Sequence, residues 1–61
     1  MFTVEDHGTI VLIRPLTCDV DAWLHDNVDP EALWFGPALA CEPRYAEDIV
    51  HALADEGYAL Q

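Results

Sequence analysis

His51 lies one helical turn from both Glu47 and Asp55, and Asp48 and Glu56 stand beside those two acids. An imidazole among carboxylates is the raw material of general acid–base catalysis, which also needs a cleft and shifted pKa values. A chain of 61 residues has little room for a cleft. The same spacing describes a solvated helix face, with Arg44 paired to Asp48 and His51 held between acids. We therefore expect no catalytic residue. A small metal-dependent or hydrolytic enzyme using His51, Glu47 and Asp55 is the alternative.

Metal chemistry has less to work with. His7, His25 and His51 match no HExxH or EF-hand spacing. Asp19-x-Asp21 and Asp26-x-x-Asp29 could collect a hard cation weakly, but helix capping accounts for Asp19 and Asp29 first. Cys18 and Cys41 form no CxxC pair, and no histidine spacing completes a zinc set. Two reduced thiols are expected, with a Cys18–Cys41 disulfide as the minor reading. No metal and no cofactor are expected.

The elements that position these residues follow from local pattern. Phe2–Glu5 alternates apolar and polar, Asp6-His7-Gly8 suits a hairpin turn, and Thr9–Arg14 continues as a β-branched strand stopped by Pro15. Thr17 caps a first helix over Cys18–Asn27, with Asp19 and Asp21 at its positive end and Trp23 and Leu24 facing the core. Asp29-Pro30-Glu31 starts a single turn that Phe35-Gly36-Pro37 breaks, with Trp34-Phe35 as a staple over the sheet and an exposed anchor for a partner as the minor reading. Ala38–Glu42 forms a third strand. Pro43–Glu56 forms the best helix, with Tyr45, Ile49, Ala52 and Leu53 on one face and Gly57 as its cap. Tyr58–Leu60 adds a last short strand. The expectation is one α+β domain over residues 1–61, ordered β-β-α-β-α-β, with two helices packed on one face of the sheet. A core this small should need both Trp23 and Trp34, and a homodimer would relieve its thin margin.

Charge is the strongest compositional signal. Twelve Asp and Glu face two Arg and no Lys, for a net charge of −10. That excludes direct binding to DNA, RNA or anionic membranes and favours a cationic partner or life in high salt. Six aromatic residues argue for a folded body rather than a disordered acidic tail. No stretch approaches the ~20 residues of a bilayer span, and no basic region precedes the short apolar run Ile10–Ile13. A cytoplasmic location is expected.

Phe35-Gly36-x-Ala38-Leu39, Glu42-x-Arg44-Tyr45 and Asp48-Ile49-Val50 together resemble a group of short, mostly uncharacterised proteins of proteobacterial phages and prophages. Val4-x-x-His7-Gly8-x-Ile10 and Trp23 fit the same pattern. The resemblance covers most of the chain and implies a phage or mobile-element origin, while lending no activity. Pro37 and Pro43 depart from the group's usual Gly or basic residue, and this chain is the more acidic.

The functional expectation is an interaction protein that occupies the nucleic-acid groove of a basic host protein, as a DNA or RNA mimic. Inhibition of a defence system, in the manner of an anti-CRISPR, is one form it could take. Asp19, Asp21, Asp26, Asp29, Glu31, Glu47, Asp48, Asp55 and Glu56 would replace phosphates. The alternative is an accessory fold whose charge serves solubility or salt adaptation.

Overall fold

The computed structural model describes residues 1–61. Strand β1 (Phe2–Asp6) pairs antiparallel with β2 (Val11–Pro15), placing Val4 opposite Ile13. Gly8 takes φ 86° in the connection, and its N–H donates to Asp6 Oδ1 at 2.8 Å. A side chain at that φ would be strained, which is why the turn needs glycine. Helix α1 (Cys18–Asn27) starts where Thr17 predicts. The Thr17 hydroxyl accepts from the Val20 N–H at 3.4 Å. At that length the cap is worth the low end of its range, so Thr17→Ala should cost about 0.5–1 kcal/mol, or a few degrees of melting temperature. An unchanged urea midpoint would show that the hydroxyl contributes nothing.

Strands β3 (Leu33–Phe35) and β4 (Ala38–Cys41) and helix α2 (Pro43–Asp55) complete the chain. The sheet runs β1-β2-β4-β3 with every neighbour antiparallel. The α+β architecture with two helices is the expected one, and the order differs in two places. The first is β3, which stands where a broken helical turn was expected. Asp29 Oδ1 accepts from the Glu31 N–H at 2.8 Å, and the Asp29 carbonyl accepts from Ala32 N–H at 2.9 Å. The start signal is therefore used up in one turn. Gly36 at φ 58° then reverses the chain, with Phe35 opposite Ala38. Glycine at the first position of a two-residue hairpin loop is a favoured arrangement, and a following proline is compatible with it. The second difference is Tyr58–Leu60, which contributes one parallel bridge, Phe2 to Leu60, rather than a strand. Gly57 at φ 94° ends α2 and directs the chain there.

One face of the sheet carries the core. Phe2, Val11, Ile13, Leu39 and Cys41 meet Val20 and Leu24 of α1 and Ala46, Ile49 and Leu53 of α2. Phe2, Ile13, Val20, Leu24, Leu39 and Leu53 are fully buried, and no polar or charged residue is. Trp23 and Trp34, expected inside, are half-buried and pack against this cluster from its edge. Their indole bodies cover apolar surface while their polar edges stay near water.

Candidate protein-interaction surface

Helix α1 carries Asp19, Asp21 and Asp26, the turn after it carries Asp29 and Glu31, and α2 carries Glu47, Asp48 and Asp55 with Glu56 at its end. Asp21 is half-buried and the other eight are exposed. Three have local partners. Asp21 lies 3.4 Å from His25 Nε2, Asp29 holds its own turn, and Glu56 Oε1 accepts from Trp23 Nε1 at 3.3 Å. That last contact brings the C-terminal end of α2 beside the middle of α1, so Asp55 and Glu56 join the α1 acids. The remaining six form no ion pair.

Arg44 was expected to pair with Asp48 and forms no ion pair. Such a pair is worth only a few tenths of a kcal/mol, and a cation N-terminal to its anion is the weaker orientation against the helix dipole. Holding an exposed Arg in one rotamer costs more than that.

The two faces of the sheet differ sharply in charge. Strand register places Glu5, Leu12, Ala40, Leu33, Phe35 and Ala38 on the face away from the helices. Glu5 is the only strand acid there, and it lies 3.8 Å from Arg14 and 3.6 Å from His7. Exposed pairs of this kind contribute at most about 1 kcal/mol, but they leave the open face close to neutral. Eleven of the twelve carboxylates and Arg44 lie elsewhere, on the helices, the connecting turns and the end of β1 at Asp6, and together they carry the whole net charge of −10.

Glu42 is an acid that sequence reasoning left out of the surface. It was placed at the end of a strand, but it occupies the position before α2 and makes no side-chain cap bond. It shares a shallow hollow with Asp29, Glu31 and Tyr45. Pro43 was the available signal, since a proline at the first helical position leaves the residue before it projecting at the helix start. Beneath the hollow, burial first and then the Glu42 charge push the Cys41 thiol above its ordinary pKa. The sign is that of a group kept protonated by folding: its contribution is full below the unfolded thiol pKa and is lost as pH rises toward the folded value. At pH 8 an alkylating reagent should modify exposed Cys18 and spare buried Cys41, with both reacting in urea. Equal rates in the native protein would contradict that burial.

His51 is exposed and shares a shallow apolar depression with Asp6 and Glu47. No three His, Cys, Asp or Glu side chains come together to hold a metal ion, and no helix is long and apolar enough to cross a membrane. His25 is exposed on α1, and its ring stacks on Trp34, with centroids 4.2 Å apart and planes 8° from parallel, which ties β3 to α1. No family model, curated protein or solved structure matches this chain.

Proposed function

We propose that the chain is an interaction protein of phage type whose helix layer occupies the nucleic-acid groove of a basic host protein. The observation that carries this reading is the one-sided charge: the net negative charge lies off the strand residues of the open sheet face, and eight of the nine expected acids have no ion-pair partner. The dimensions fit. The body is 27 Å long, a length over which duplex DNA carries about 16 phosphates at one per ~1.7 Å. On α2, the Glu47-Asp48 and Asp55-Glu56 pairs lie about 12 Å apart at 1.5 Å per residue. Four base steps along one strand span about 13.6 Å. The mimic would steer onto its partner quickly at low salt and lose that advantage as screening shortens to ~8 Å.

The test is capture from host lysate on the immobilised chain at low and at high salt, followed by elution with duplex DNA or RNA. A basic nucleic-acid-binding protein retained at low salt and released by nucleic acid is the expected result. If no basic protein is retained, or if nucleic acid does not displace it, this reading fails. An accessory fold adapted to saline cytoplasm would instead need molar salt to fold at all.

A further inference from the structure

We propose that the open face of the sheet is a homodimer interface, with a second copy of this chain packed against it so that the two acidic helix layers point outward. Three observations converge on that face. It is apolar: Leu33 and Phe35 are 66% and 58% exposed, beside half-buried Leu12. Ala38 and Ala40, whose methyl groups lie between those larger side chains, are already buried and present a smooth floor. Next to it, Phe35 and Leu12 line a hollow with Ile10, Thr9 and His7, open to receive an apolar side chain.

Charge selects a second copy as the occupant. A body with a net charge of −10 should repel its own kind, and along any acidic surface it does. Across the open face the geometry is different. Two packed sheets sit ~10 Å apart, and each helix layer adds ~10 Å more, so the two acidic layers lie about 30 Å from each other. That is nearly four screening lengths at physiological ionic strength, where the length is ~8 Å. Glu5 and Arg14 sit side by side on the same face, and a two-fold axis would bring each near its opposite in the other copy. A cationic partner, by contrast, would find excess negative charge only at the rim, where Asp29, Glu31 and Glu42 share a hollow with Ala40.

Area sets the strength. No face of the molecule is broader than 27 by 20 Å, so the interface is at most about 540 Å² per copy and about 1,100 Å² for two. Specific interfaces begin near ~1,000 Å², so the dimer is weak and concentration-dependent rather than obligate. The inference is independent of the cationic-partner reading, because it uses the opposite surface and its test needs no host protein.

Sedimentation velocity on the purified chain between about 10 μM and 1 mM tests it. At 150 mM NaCl the chain should dimerise with a Kd on the order of 100 μM. Lowering NaCl to 10 mM stretches the screening length to ~30 Å and should weaken the dimer at least tenfold. Leu33→Lys and Phe35→Lys alter exposed side chains, so each should keep its circular dichroism and weaken the dimer at least tenfold. Asp48→Lys, on the helix layer, should not weaken it. A chain that is monomeric at 1 mM and 150 mM NaCl overturns the proposal, as does a dimer indifferent to both lysines. A monomer that uses Phe35 to hold a different protein assigns the face to that protein and also overturns it.

Discussion

Leu39→Ala is expected to remove about half of the chain's folding stability. Leu39 is fully buried in β4, with Ile13 and Trp34 as its cross-strand partners on the core face. Removing its branched end opens a gap in the core cluster that it shares with residues of both helices. Substitutions of this kind cost about 2–5 kcal/mol, more when the surroundings cannot collapse into the space. Here they cannot easily do so, because the backbone on either side is held in a ladder. Against that cost stands a total stability of roughly 3–9 kcal/mol for a domain of this length. A loss at the middle of the range should lower the melting temperature by about 15–25 °C. Urea unfolding followed by circular dichroism is the measurement, with Leu39→Val as the milder comparison. A cost below about 1 kcal/mol for the alanine variant would contradict the placement of Leu39 at the centre of the core.

The second large effect concerns capture. Replacing Glu47, Asp48, Asp55 and Glu56 with their amides changes the net charge from −10 to −6 while keeping shape. Each exposed charge lost from an ion pair with the partner is worth about 0.2–1 kcal/mol, so the four together should weaken capture by roughly four- to several-hundred-fold at low salt. The difference should shrink as salt rises, since the interaction removed is a screened one. Stability should move the other way. Four like charges fewer means less self-repulsion, so the melting temperature should hold or rise. Glu56→Gln keeps an oxygen that can accept from Trp23 Nε1, so the contact between α1 and α2 survives. Full retention of the partner by the fourfold variant would place the binding surface elsewhere. Loss of retention together with loss of melting temperature would point to misfolding instead.

The contrast between the two helices and the hairpin explains what could be read in advance. Thr17, Asp19 and Asp21 mark the start of α1, and Pro43 and Gly57 bracket α2, because each acts on backbone groups within one turn of itself. Trp34 and Phe35 carry no such local mark. Whether they belong to a turn, a staple or a strand depends on Ala38 and Leu39 lying opposite them, and on β4 being held in place by β2. The stacking of His25 on Trp34 has the same origin: nine residues separate the rings, and they meet only after the chain has turned at Asp29. Arg44 failed as a pairing partner for the opposite reason, since a local spacing permits an ion pair without making it worth the entropy of forming it.

Composition and local pattern were enough to establish a small α+β body, the ends of both helices, Leu24, Ile49 and Leu53 as core residues, and a large excess of negative charge, for all of these depend on residue type and near neighbours. Where that charge would gather was beyond them. The neutral face arises because Glu5, Arg14 and Leu12 alternate to one side of a sheet whose order, β1-β2-β4-β3, sets both helices on the other. Side-chain alternation is local, but which side meets water is decided by pairings between strands far apart in the chain.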